Sequence, residues 1–181
     1  MTTLEARLSV LESIEAIRAL KARYAALADA KYRPDYTRVG DAEMASIARA
    51  QSECFTADAV WDGGGDFGDS RHGREALRQW FLNSPWRFAM HYYGSPCIDV
   101  GVDGDQANAT WRLWQIALRE DNGEAVLLCA LTKEAYRRDA AGMWLCSHMR
   151  FDEVHMAPLH GVAGTLARTF DQLVPKDDRH D

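Results

Sequence analysis

The chain has 181 residues, 47% of them hydrophobic and 27% charged, with a formal net charge of −6. That length suits one domain with a sizeable core, and the composition belongs to a globular chain, not a disordered one. Acidic and basic residues are interspersed without a Lys/Arg run or basic stripe, which argues against nucleic acid as a partner.

The longest apolar stretches fall short of a membrane span. The opening residues, Met1-Thr-Thr-Leu-Glu-Ala-Arg7, lack the apolar core of a signal peptide. A cytoplasmic protein without membrane contact is the expectation.

Residues 3 to 29 carry a helical pattern. Leu4, Leu8, Leu11, Ile14, Ile17, Leu20 and Tyr24 recur at three- and four-residue steps among good helix formers. Pro34 and two tyrosines interrupt the pattern between Lys31 and Gly40. Asp41 is a candidate cap for a second helix reaching about Cys54, with Met44, Ile47 and Ala48 inward. Ala59-Val-Trp61 reads as a short strand, and Asp62 to Ser70 as a Gly/Asp loop. Residues 73 to 82 form a third helix with Leu77, Trp80 and Phe81 on one side.

From Trp86 the character changes to long strands at roughly 87–101, 106–119, 125–137 and 143–155. Asp103-Gly104, Asn122-Gly123 and the region Asp139 to Gly142 punctuate them. Asn-Gly and Asp-Gly supply the positive φ of tight hairpins, and strands this long predict a strongly curved sheet. The expected architecture is α+β, with N-terminal helices packed on a curved antiparallel meander to form a cone-shaped barrel over residues 1–156. Residues 157–181 are expected to be a tail on the same domain, with Val162, Leu166 and Phe170 at helical spacing and a charged end. A helix in the concavity of such a sheet leaves a conical pocket suited to a small molecule.

Familiar cofactor and metal motifs are missing. The four cysteines, at 54, 97, 129 and 146, have no C-x-x-C spacing and read as reduced thiols. No G-x-G-x-x-G, P-loop, G-x-S-x-G or H-E-x-x-H pattern occurs. Gly63-Gly-Gly65 follows a strand but precedes Asp66, not a helix start, and reads as a turn. Neither a cofactor nor a metal is expected.

The stretch richest in chemical meaning is Phe88-Ala-Met-His-Tyr-Tyr-Gly-Ser-Pro-Cys-Ile-Asp-Val100, a strand with His91 at its centre. Histidine takes and returns a proton near neutrality. The competing reading is a core histidine bonded to backbone.

Several segments resemble the SnoaL-like branch of the nuclear transport factor 2-like superfamily. They are Ile17-Arg-Ala-Leu-Lys-Ala-Arg-Tyr-Ala-Ala-Leu-Ala-Asp29, Phe55-Thr-Ala-Asp-Ala-Val-Trp-Asp-Gly-Gly64, Gly73-Arg-Glu-Ala-Leu77, and His91 followed by Val102-Asp-Gly-Asp-Gln-Ala-Asn-Ala-Thr-Trp111. The resemblance spans about residues 4 to 155 and implies the cone-shaped α+β fold, which hosts many functions. A narrower pattern resembles bile-acid 7α-dehydratase and hexachlorocyclohexane dehydrochlorinase. Tyr24 and Asp29 on the first helix, His91 on a strand and Arg150 on the last strand match it, as do Met90 and Pro96 around the histidine.

Two departures stand out. Gln115 occupies a place where that dehydratase carries an aspartate, and it has no acid–base chemistry. The span from Asp29 to Phe55 is about twice the family's usual length, so residues 31 to 45 read as an insertion. That insertion is either a cover for the pocket mouth or a solvated loop.

The resemblance implies His91 as general base, Asp29 orienting it, and Tyr24 and Arg150 assisting. Five residues amount to about 140° on an ideal helix, so Tyr24 and Asp29 share a face only if the helix ends or distorts near Ala28. Trp61, Phe88, Tyr93, Trp111, Gln115 and His148 are the candidate substrate-binding residues, with His148 placed by its strand parity with Arg150.

The function this implies is a cofactor-independent lyase of the dehydratase type, acting on a hydrophobic, hydroxylated aromatic or polycyclic molecule. Alternatives are a lyase releasing formaldehyde from a lignin-derived diaryl diol, an isomerase, and a non-catalytic binder or oxygenase small subunit. The resemblance also implies a homodimer or homotrimer.

Overall fold

The structure, a computed structural model, describes residues 3–65 and 68–159. Helix α1 spans Leu4–Asp29, and the Thr3 side chain caps it by accepting from the Ala6 amide. Helix α2 spans Asp41–Ser52, strand β1 Phe55–Asp62, the short strand β2 Arg71–His72 and helix α3 Arg74–Leu82. Strands β3 (Trp86–Val100), β4 (Gln106–Arg119), β5 (Ala125–Arg138) and β6 (Trp144–Pro158) complete the chain order. The long strands match the expected ones closely because each hairpin glycine takes the left-handed conformation its turn demands, as at Gly104 (φ 76°) and Gly123 (φ 71°).

The six strands lie in the order β2-β1-β6-β5-β4-β3. The sheet is α+β and curved as expected, but two features differ. It does not close, because β2 and β3 are its two edges. It is also mixed: β1 pairs parallel to β6. Chain geometry explains this, since α2 precedes β1 and α3 follows β2, so β1 meets the last strand through a long-range pairing that no hairpin governs. That pairing extends β1 beyond the expected Ala59–Trp61 to Phe55–Asp62. Beyond it, β2 forms where Val60 and Trp61 pair with His72 and Arg71.

Alternation sets which side chains meet the helices. On β4 the inward set is Ala107, Ala109, Trp111, Leu113, Gln115 and Ala117, and on β5 it includes Leu128, Ala130, Thr132, Glu134 and Tyr136. Helix α1 packs on this face through Ser13, Ile17, Lys21, Tyr24 and Ala28. Its first turns run past the core, leaving Leu4 (78%), Leu8 (52%) and Leu11 (62%) exposed. Strand β6 continues to Pro158, beyond the boundary expected at residue 156. The expected tail helix around Val162, Leu166 and Phe170 lies outside the described residues. No helix among those described is long and apolar enough to cross a membrane.

Candidate active site

Asp29 is the last residue of α1, and His91 stands in the first half of β3, against which α1 packs. His91 Nδ1 lies 2.7 Å from Asp29 Oδ1, and the same oxygen accepts the His91 backbone N–H at 3.0 Å. An ionised carboxylate only accepts, so Nδ1 carries the proton and the lone pair falls on Nε2. The imidazole ring lines a cavity of about 60 Å³. Tyr24, Ala28, Lys31, Tyr32, Gln51, Trp61, Trp80, Phe81, Trp86, Tyr93, Gln115 and Phe151 also contribute to its walls.

The helix geometry resolves as the rotation argument requires. Tyr24 faces the cavity from inside the helix, while Asp29 reaches His91 from the helix end, one residue before the Ala30 cap. Tyr93 links them: its ring is parallel to the His91 ring at 6.5 Å and meets Tyr24 edge-on at 6.1 Å. Burial, reinforced by the Glu134 charge, pushes the Tyr24 hydroxyl well above its ordinary pKa. Burial does the same to Tyr93. Both are therefore protonated donors near neutrality, and neither is a base.

Below the two tyrosines sits a charge pair. Lys21 Nζ is 2.5 Å from Glu134 Oε1, with both side chains buried. Thr132 and Tyr136 donate to the same carboxylate, and Trp111 donates to the Tyr136 hydroxyl at 3.1 Å. The ammonium also lies 3.6 Å from the centre of the Tyr93 ring. Desolvation lowers the Lys21 pKa against the opposing pull of Glu134.

Of the expected site residues, His91, Asp29 and Tyr24 come together, and Trp61, Tyr93 and Gln115 line the same cavity. Gln115 is the cross-strand partner of His91. Arg150 does not join them. It is half exposed, with Nε 3.9 Å from Asp62 Oδ2. His148 lines a separate outer hollow with Cys97, Asp99 and Lys133.

Arg150 and His148 share a face as their parity requires, but it is the outer one. The pairing slips between Ala135 and Tyr136, opposite His148 and Cys146. Trp144 and Cys146 point inward before the slip, whereas Met149 and Phe151 point inward after it. Phe151, not Arg150, thereby faces the cavity. Two further assignments move. Phe88 packs outside the cavity against Tyr32 and Tyr36, and Trp111 belongs to the buried network beneath it.

Within the segment expected to be an insertion, Lys31 and Tyr32 line the cavity. Tyr32 pairs with Arg38 in an isolated bridge, and the Tyr32 hydroxyl is 2.9 Å from Ser84 Oγ. The Arg38 guanidinium donates to the carbonyls of Ser84 and Trp86. These bonds fasten the segment to the α3–β3 turn and bring Lys31 inside. Lys31 is only 4% exposed, with Nζ 5.0 Å from the centre of the Phe81 ring. Desolvation, with Arg38 adding to it and Asp29 opposing, lowers its pKa to about 7.

Sequence reading did not single out Lys31, Gln51 or Trp86 as cavity residues. The available signal was a lysine two residues past the helix-end aspartate. Among the described residues no three His, Cys, Asp or Glu side chains converge as a metal site.

The Lys31 shift carries a stability consequence. Its ammonium is disfavoured in the folded state, so the penalty is full below pH 7 and vanishes as pH rises towards the unfolded value of 10.5. Lys31→Met is expected to stabilise the protein by a few kcal/mol at pH 6, on the order of magnitude such shifts imply. That gain should shrink steadily between pH 7 and pH 10 in urea titrations.

Helices on a curved, unclosed six-stranded sheet, with a His–Asp pair beside a cavity between them, define the class of α+β fold to which the chain belongs. The SnoaL-like domain model matches residues 9–150, and the chain belongs to that family, within the nuclear transport factor 2-like superfamily. Among solved structures, it is similar to a hexachlorocyclohexane dehydrochlorinase from Novosphingobium barchaimii, at 18% identity and TM-score 0.71 over 89% of this chain and 99% of that one. A candidate scytalone dehydratase from Novosphingobium aromaticivorans is similar at 15% identity and TM-score 0.68, over 85% and 92%. An NTF2-like protein with a cystatin-like fold from the same species is similar at 26% identity and TM-score 0.62, over 87% and 89%. No functionally curated protein matches the sequence.

Proposed function

We propose that the protein is a cofactor-independent lyase of the dehydratase type. His91 Nε2 removes a proton from a hydrophobic, hydroxylated aromatic substrate, and a β-substituent leaves. The observation that carries this reading is the 2.7 Å His91–Asp29 contact, which fixes the imidazole tautomer and leaves Nε2 as the free nitrogen of a ring that lines the cavity. Asp29 also stabilises the imidazolium that forms. Tyr24, held protonated by burial, donates a hydrogen bond to the leaving hydroxyl; the proton His91 took from the substrate passes to that hydroxyl, which departs as water, and both residues end as they began. Similarity to a dehydrochlorinase and a candidate dehydratase supports elimination chemistry over other reactions of the fold.

At about 60 Å³ the cavity is smaller than the usual ligand pocket. An aromatic substrate therefore enters only if wall residues such as Tyr32 and Trp86 move outward.

The discriminating experiment is Asp29→Asn. An amide donates to Nδ1 and drives the proton to Nε2, which removes the base without removing the ring. Turnover should fall by about 10²-fold or more, while ligand binding is preserved. Equal turnover would dismiss the dyad.

The partner we propose is a second copy of the chain. Met90, Tyr92 and Trp114 are 42–58% exposed on the outer sheet face, in addition to the leucine stripe of α1, and apolar surface of this kind marks association sites. Small-angle scattering should give a dimer or trimer mass. A monomer at high concentration would contradict it.

A further inference from the structure

Two features of the cavity serve neither the His91–Asp29 pair nor the core. The Lys31 side chain is buried in its wall, and among the described residues no carboxylate lies within ion-pair distance of its ammonium. Asp29 acts on Lys31 only through its charge, since its Oδ1 is taken twice by His91. The second feature is Gln115. It is 1% exposed, it lines the same cavity, and its Nε2 has no hydrogen-bond partner. A buried donor without an acceptor is costly, and so is a buried cation without an anion. Both costs disappear when one kind of ligand atom arrives, an oxygen with negative charge.

We propose that Lys31 and Gln115 form a subsite for an acidic oxygen, so that the substrate carries a carboxylate or phenolate group beside the carbon or hydroxyl that His91 deprotonates. This deepens the lyase reading and rests on it for the word substrate, while the subsite itself rests only on the cavity. A neutral ligand leaves the Lys31 ammonium uncompensated. Gln51 Oε1, also buried, cavity-lining and without a partner, is an acceptor and takes a hydroxyl of the same ligand. An acid oxygen on two donors and a hydroxyl on one acceptor describe a hydroxylated aromatic acid or a polyphenol.

Binding an anion also changes the protonation of Lys31. The groups facing it are Asp29 and Arg38 through their charges, the Phe81 ring, and Tyr24, Tyr32 and His91 across the cavity. Lys31 is partly neutral above pH 7, so an anion that favours the ammonium draws a proton from solvent.

The test uses the whole protein and three probes: benzoate, its neutral isostere benzamide, and 4-nitrophenol, whose phenolate is read by absorbance. Calorimetry at pH 8 in two buffers of different ionisation enthalpy gives affinity and proton uptake together. The wild type should bind benzoate or the phenolate roughly 10- to 100-fold more tightly than benzamide, the scale of a charge-assisted bond, with net proton uptake. Preference for benzoate alone assigns a carboxylate, and preference for the phenolate alone a phenol.

Lys31→Met should abolish both the preference and the uptake. Lys31→Gln provides a second neutral variant if the first fails to fold, and Gln115→Leu should weaken the acidic probes alone. His91→Gln should leave the preference intact, so a failure of the dyad shows in turnover and a failure of the subsite shows in probe binding. Affinity for both acidic probes no greater than for benzamide, a preference that survives loss of Lys31, or no binding of either acidic probe overturns the proposal.

Discussion

Replacing His91 by glutamine is expected to lower turnover by about 10²- to 10⁴-fold, the range attributed to a positioned general base. The fold should persist. The glutamine amide still donates towards Asp29, and the backbone N–H of residue 91 keeps its 3.0 Å bond to the same carboxylate. Tyr24 and Tyr93 are held protonated by burial and Gln115 is an amide, which leaves only the Lys31 amine, lowered to about 7 and with no hydrogen bond from Asp29 to orient it, as a basic nitrogen among the described cavity residues. Single-turnover kinetics separate the effects: the chemical step should slow while the affinity for substrate changes little. A matching loss of affinity would place His91 in binding and not in proton transfer.

Glu134→Leu should be the most destabilising single change, at about 3–5 kcal/mol, since it strands the Lys21 ammonium in the core. Thr132 and Tyr136 also lose the carboxylate they donate to. The double variant Lys21→Met with Glu134→Leu should recover most of that loss, because a packed apolar pair replaces a buried ionic one at little net cost. Urea denaturation of the two single variants and the double gives the coupling directly. Additive losses would mean that the 2.5 Å contact contributes nothing of its own. The location adds a functional expectation. Lys21 lies beneath the Tyr93 ring that is parallel to His91, so even the stable double variant should show a loosened cavity floor.

Much of the fold was legible from local chemistry. The hairpins at Asp103-Gly104 and Asn122-Gly123 declare themselves through residues that accept positive φ, and the strands between them alternate cleanly. What local chemistry misses is pairing between distant segments. The parallel contact of β1 with β6, and the short β2 beside it, have no signature in either segment alone.

The site divides along the same line. Asp29 and His91 were reachable through the family pattern, and the structure joins them. Arg150 rested on the family pattern and His148 on its shared parity with Arg150; the two do share a face, but Met149 and Phe151 hold the inward positions, so both lie away from the cavity. Lys21 and Lys31 were invisible for another reason. A lysine reads as solvated until its surroundings are known, whether it stands on a helix, as Lys21 does, or just past its end, as Lys31 does. For Lys21 that partner is Glu134, more than a hundred residues away. Glu134 did carry a hint, as a carboxylate on the inward parity of β5 between Thr132 and Tyr136.

The central claim is that a ligand in this cavity meets His91 Nε2 as a base. A crystal structure with the small molecule carried through purification, or with an identified substrate bound to Asp29→Asn, tests it most directly. The account predicts a carbon or hydroxyl bearing the abstracted proton within about 3.2 Å of Nε2, the reach a general base needs, with the ligand between Tyr24 and Trp86. A ligand seated instead in the outer hollow beside His148 and Asp99, with the His91 cavity empty, would contradict it.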